Sequence, residues 1–442
     1  MSVVNSMKKT PGMVAIKQLK DAFIRKIMNM SKRYVEVRVI FDHYIEDSLK
    51  SKTRGGRATS DVASKATYEI HDEMSIRTIS LRELLSSSMT KSGLTKHLSE
   101  AILKKTEGSN QVFIVSYQQC TRVNNPHSID ENLEVHGHEE ADTLIPLHVI
   151  DSVRLNKCRD IQVRCSDTDV FIMLIDLAAS NYLGAMTKLT MLTGTGARYR
   201  EVDIRERVEA IGKRKVKALI GLHNFTGADW GGKFVGLSKK TWVSTFLSLD
   251  VDDDIIESFT SLGVNDFSDL DMVDSNFPPH LFPLERFVCM AYSPTGRTIL
   301  SHLRWDMFSS RNLEGELLPP TKATLFQHIK RANFVAMRDK SYSVSKPHLP
   351  SMERNGWQLK AGGGIEPVRC MVPPAPSAVL ELIKCGCKKT CSGNCKCAKN
   401  NLPCTPLCKC YAWSCNRIII NQKINNDRPQ DEEGEDDELM DI

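Results

Sequence analysis

The chain has 442 residues, 41% hydrophobic and 26% charged, which excludes collagen-like and wholly disordered classes and leaves room for two or three domains of ~150 residues. No apolar run reaches the ~18 residues that a transmembrane helix needs, so no membrane partner is expected. The formal charge of +5 averages a tail at residues 427–442 with net −8 and a remainder with net +13; a basic body with an acidic tail suits a polyanion partner.

The predicted elements alternate between helix and strand from the N-terminus. Leu19, Phe23, Ile27 and Met28 space out one face of a helix over residues 18–30. Val35, Val37, Val39 and Phe41 alternate with Glu36 and Arg38 and predict a strand over residues 34–41. Ile161, Val163 and Cys165 repeat that period and lead into the apolar run 170–175. Residues 188–193 and 198–202 flank Gly194-Thr195-Gly196 and read as a hairpin, with helices to follow at 203–211 and 216–225. Further on, Thr321 is placed to cap a helix whose inner face is Leu325, Ile329, Ala332 and Ala336. The pattern predicts an α/β domain over residues 1–270, a helical extension over 271–357, a Gly/Pro linker over 358–380, a cysteine-rich module over 381–417 and an acidic disordered tail over 418–442.

Nine of the 14 cysteines fall between Cys385 and Cys415: Cys385, Cys387, Cys391, Cys395, Cys397, Cys404, Cys408, Cys410 and Cys415. An odd number packed so densely leaves no room for an apolar core, and zinc ligation is expected to supply the folding energy. Three tetrahedral ions need twelve bonds, which six terminal and three bridging thiolates provide, so about three zinc ions are expected. The segment resembles the tesmin-type CXC domain, a zinc module of nuclear DNA-binding proteins, in its Cys-X-Cys pairs, the gap from Cys397 to Cys404 and Asn416 after the last cysteine. The spacings Cys387 to Cys391 and Cys410 to Cys415 depart from that pattern. The resemblance implies DNA contact through Lys388, Lys389, Lys396, Lys399, Lys409 and Tyr411, and residence in the nucleus.

Four acidic signals punctuate the body. Asp42 ends the strand in "VIFDHY", Glu140-Ala141-Asp142 opens a helical pattern in "HEEADT", Asp167 and Asp169 follow a strand in "CSDTDVFIM", and Asp229 closes "LHNFTGADW". Clustered carboxylates repel one another unless a cation joins them, and magnesium or manganese accepts such oxygen ligands. Pro146 sits inside the helix expected after Glu140 and would be tolerated in a first turn if that helix started at Thr143 or Leu144.

In their order these motifs resemble the flap endonuclease branch of the PIN-like nuclease superfamily, over roughly residues 15–245. The resemblance implies a PIN-like nuclease fold with a central, mainly parallel sheet. It also implies a magnesium or manganese site formed by Asp42, Glu140, Asp142, Asp167, Asp169 and Asp229, and contact of Lys50 and Arg57 with the nucleic acid. The family's opening strand and its Asp have no counterpart, since no acid precedes Asp21, and an N-terminally incomplete copy is expected. The pairing of such a body with a CXC module also resembles transposon-like animal proteins. Two functions are therefore expected as alternatives: a structure-selective, metal-dependent endonuclease docked on DNA by its zinc module, or an inactive scaffold of transposon origin that binds DNA or protein.

Overall fold

The computed structural model describes residues 13–43, 66–124, 129, 131–155, 158–180, 182–227, 232–273, 276–293, 296–311, 317–360, 364–369, 385–387, 397 and 408. The first helix, α1 (Ile16–Ser31), buries Leu19, Phe23 and Ile27, the face that its periodicity predicts. Strand β1 (Glu36–Ile40) follows. The next helix of two turns or more, α2 (Ser88–Thr106), leads to β2 (Val112–Tyr117) and β3 (Cys120–Val123). β1 and β2 run parallel, whereas β2 turns back into β3 through a two-residue bend in which Gln118 adopts φ 53°. Phe23, Ile27, Leu94, Leu98, Phe113 and Val115 form the core between this sheet and its two helices.

A second unit of the same design begins with α3 (Ala141–Arg154). Strand β4 (Asp160–Arg164), α4 (Thr168–Ala179), β5 (Lys188–Thr193) and β6 (Arg200–Asp203) come next. Here too the β4–β5 pair is parallel and the β5–β6 pair antiparallel. The remaining helices of two turns or more among the described residues are α5 (Ile204–Ile211), α6 (Lys213–Gly227), α7 (Lys239–Leu247), α8 (Asp254–Ser261), α9 (Phe282–Tyr292), α10 (Leu300–Arg311) and α11 (Lys322–Lys340). A short antiparallel pair, β7 (Trp357–Leu359) with β8 (Ile365–Pro367), ends this part of the chain.

The class is α/β, but the expected central, mainly parallel sheet is not formed. Among the described residues the strands make three small separate sheets, β1-β2-β3, β4-β5-β6 and β7-β8, and three of the five pairings are antiparallel. The reason is local: after each parallel pair the chain takes a hairpin, which is shorter than another helical crossover. β1 and β4 do not pair with each other; side chains span them instead, through the Tyr34 hydroxyl and Gln162 Oε1 at 2.5 Å. Helix α3 joins the two larger units. His148 contacts Ser116 Oγ at 2.8 Å and Arg38 at 3.2 Å, and Asp151 pairs with Arg38 at 2.6 Å.

One continuous core runs from Val149 to Tyr342, so α9 and α11 of the expected extension pack into the same interior as α4 and α6. Trp242 is fully buried there against Phe225, Phe234 and Phe287. β7 starts at the last residue of the expected extension and β8 lies in the span read as a linker; together they form a hairpin anchored by buried Trp357 against Phe334. No helix among the described residues is long and apolar enough to cross a membrane.

His328 of α11 is buried in this core and shares a 2.6 Å hydrogen bond with the Phe225 carbonyl. Burial pushes its pKa from 6.5 down to about 4, against the opposing effect of that bond. Because the folded value lies below the unfolded one, the contribution is complete above pH 6.5 and is lost as pH falls towards 4, at about 1.4 kcal/mol per pH unit. Thermal melts across this range are expected to show that loss, and His328→Gln is expected to remove part of it, since burial lowers His136 and His148 as well.

Candidate metal centres

The acidic site is assembled where β1 and β4 end against the starts of α3 and α4. Beyond β1, Phe41 donates its backbone N–H to Ser116, and His43 donates its own to Glu139. Asp42 accepts a hydrogen bond from Ala141 N at 3.1 Å and so fastens the end of β1 to the first residue of α3. Glu140 is the N-cap residue of α3, and Asp142 lies in its first turn. The helix starts at Ala141, so the condition of a later start at Thr143 or Leu144 is not met and Pro146 lies inside it. With no N–H, Pro146 donates nothing to the carbonyl of Asp142, the bond that position would otherwise make.

Asp167 caps α4, its carboxylate accepting from Asp169 N at 2.9 Å, and Asp169 occupies the first turn. Ser166 Oγ accepts from Gly194 N at 3.2 Å and ties this corner to the end of β5. Two helix N-termini, each favourable to negative charge, therefore present Asp142, Asp167 and Asp169 to one another. One carboxylate oxygen from each lies within 4.8 Å of the other two, and the group is partly open to solvent. Octahedral ligands ~2.1 Å from magnesium stand ~3.0 Å apart when adjacent and ~4.2 Å apart when opposite, so the three oxygens lie at separations comparable to those that one such ion would require.

Asp169 meets His223 Nε2 of α6 at 2.7 Å. Burial alone would raise the Asp169 pKa, but His223, Arg338 and Lys239 outweigh it and hold the carboxyl well below the usual carboxylate range. Next to His223, Asn224 donates to Asp339 at 2.7 Å, and Asp339 accepts from Arg338 Nη2 at the same distance. Arg338 Nη1 stands 3.4 Å from Glu140 Oε2. α6 and α11 thus place a basic and hydrogen-bonding wall behind the carboxylates.

Three of the six expected acids, Asp142, Asp167 and Asp169, come together. Glu140 is nearly buried and engaged by Arg338, while Asp42 serves the start of α3. Asp229, Lys50 and Arg57 lie outside the described residues. Sequence reasoning missed His223, Arg338 and Asp339. His223 stands inside "LHNFTGADW", where only the acid drew notice; Arg338 sits on a helix whose pattern signals nothing but its apolar face.

In the cysteine-rich segment, Cys385, Cys397 and Cys408 are buried, with their sulfurs within 4.8 Å of one another. Cys397 Sγ and Cys408 Sγ are 3.6 Å apart. That is far beyond a disulfide bond and close to the ~3.8 Å that separates thiolates ~2.3 Å from a tetrahedral zinc ion. Cys387 is described but does not join this group. Cys391, Cys395, Cys404, Cys410, Cys415, Lys388, Lys389, Lys396, Lys399, Lys409 and Tyr411 lie outside the described residues.

Comparison with family models, with curated proteins and with solved structures finds no match to this chain.

Proposed function

We propose that the chain is a nucleic-acid-associated phosphodiester hydrolase that depends on magnesium or manganese, with a C-terminal zinc-binding module that docks it on DNA. The observation that carries this reading is the convergence of Asp142, Asp167 and Asp169 on one another from two helix starts. The order of the acidic motifs along the sequence and the net +13 of residues 1–426 support it.

When bound, magnesium or manganese supplies Lewis-acid polarisation of a phosphoryl oxygen and a lowered pKa for water. Asp142, Asp167 and Asp169 hold the ion, and Asp169 stays ionised because His223, Arg338 and Lys239 oppose its protonation. His223, buried behind Asp169, orients that carboxylate.

Incubation of the full chain with flap and branched DNA in magnesium or manganese tests the reading: cleavage is expected, and Asp169→Ala should reduce it by at least ~100-fold, a transition-state loss of about 2.7 kcal/mol. Cleavage no greater than that of this variant, with DNA binding that still weakens steeply as salt rises, would leave the chain an inactive nucleic-acid-binding scaffold.

In the module, Cys385, Cys397 and Cys408 form part of one zinc site in this reading, and sharing of sulfurs carries the total to about three ions. Elemental analysis of the purified chain checks the count: about three zinc ions are expected, and a value near one would refute the shared-sulfur arrangement.

A further inference from the structure

We infer that Arg338 is a built-in cation of the acidic centre, standing against Glu140 where a second metal ion would otherwise be needed, so that the body binds a single divalent cation at Asp142, Asp167 and Asp169. The inference rests on the metal-site reading above and goes beyond it in stating how many ions the centre holds and why.

The carboxylates divide into two groups. Asp142, Asp167 and Asp169 face one another, partly open to solvent. Glu140, two residues before Asp142 and only 6% exposed, is outside that trio. Its carboxylate faces the Arg338 guanidinium at 3.4 Å. Arg338 also lies within electrostatic reach of Asp169, so a single side chain serves acids of both groups. The guanidinium is charged at any working pH, and Asp339 and Glu140 are the acids it faces.

The guanidinium is also fixed in place. Arg338 Nε and Nη2 both donate to Asp339 Oδ1, at 2.9 and 2.7 Å, and the other oxygen of Asp339 accepts from Asn224. A planar, permanently charged donor clamped on one edge presents its remaining edge to Glu140. Two-metal hydrolytic centres place a second ion ~3.5–4 Å from the first, a second positive charge that clamps the attacking and leaving oxygens. Here a side chain from α11 supplies that positive charge, at the cost of one coordinating acid.

Manganese titration of the zinc-loaded full chain, followed by electron paramagnetic resonance, separates the outcomes. The wild type is expected to bind one manganese ion with an uncoupled six-line spectrum. The paired change Arg338→Met with Asp339→Asn removes one charge of each sign and uncovers Glu140; it is expected to raise the count to two, with a broadened, spin-coupled spectrum. Adding Glu140→Gln should return the count to one, and Arg338→Lys alone should leave it at one.

Two coupled ions in the wild type would overturn the inference while leaving the metal reading intact, and this result needs no variant to fold. A count that stays at one in the folded paired variant would also overturn it. No manganese bound to the wild type would remove the metal reading itself and this inference with it.

Discussion

Replacement of Asp167 and Asp169 together by asparagine is expected to weaken manganese binding by at least ~100-fold while leaving the fold intact. A hydrogen bond or contact to a charged group contributes about 1.5–3 kcal/mol, and two lost carboxylate charges exceed the ~2.8 kcal/mol that a hundredfold change requires. Asparagine is the informative substitution. It caps a helix about as well as aspartate, so the bond from Asp169 N to residue 167 at the start of α4 is retained. An amide at residue 169 also keeps a polar partner for His223. Like-charge repulsion among Asp142, Asp167 and Asp169 falls at the same time, but the attraction of His223, Arg338 and Lys239 for the Asp169 carboxylate is lost with it, and the metal-free melting temperature is expected to fall modestly without loss of the folded state. Calorimetric titration read beside thermal melts gives both quantities; unchanged manganese affinity in a folded double variant would exclude this trio as the site.

The second large effect concerns the helix that carries His223 and Asn224. A Cβ on Gly221 of α6 would lie 2.1 Å from the Phe259 carbonyl oxygen and 3.2 Å from Leu262 Cβ. α6 crosses α8 at this point with backbone almost on backbone. Alanine has the better helix propensity by about 1 kcal/mol, but separating two packed helices costs more than that, typically 1–3 kcal/mol and at times more. Gly221→Ala is therefore expected to destabilise the fold by about 1–2 kcal/mol and to weaken metal binding as His223 shifts. Gly93 in α2 is the matched control. Its added Cβ would meet only Ile70, at 3.5 Å, so Gly93→Ala is expected to stabilise by up to about 1 kcal/mol. Denaturant unfolding of the two variants should give opposite signs; a loss of stability in both would undo the packing argument.

Local pattern made several elements legible. The stripe Leu19, Phe23 and Ile27 turns inward on α1, the alternation around Val37 and Val39 becomes β1, and Thr321 caps α11 by accepting from Thr324 N. α2 gave no such signal, because its buried face includes Thr90, Thr95, Ser99 and Thr106 beside Leu94, Leu98 and Ile102. Hydroxyls of Thr95, Ser99 and Thr106 bond back to carbonyls of their own helix, which lets them sit in a core without partners elsewhere. Sheet pairing was not legible either: each parallel pair ends in a hairpin, and nothing in the period of β1 or β4 tells whether those two strands meet.

The site divides along the same line. Asp142, Asp167 and Asp169 were legible because each stands at the junction of a predicted element. The fate of Glu140 was not, since it depends on Arg338 arriving from a helix distant in sequence. His223 was hidden for a similar reason: it belongs to a run in which every residue from Ala218 to Thr226 is buried, and only its position opposite Asp169 sets it apart.

The most direct test of the account is the anomalous scattering of a crystal of the full chain soaked in manganese, recorded at the manganese edge. The account predicts one strong peak in the body, bounded by carboxylate oxygens of Asp142, Asp167 and Asp169, with Glu140 still paired to Arg338. A map with no peak there at millimolar manganese, from crystals in which the three side chains are ordered, would contradict it.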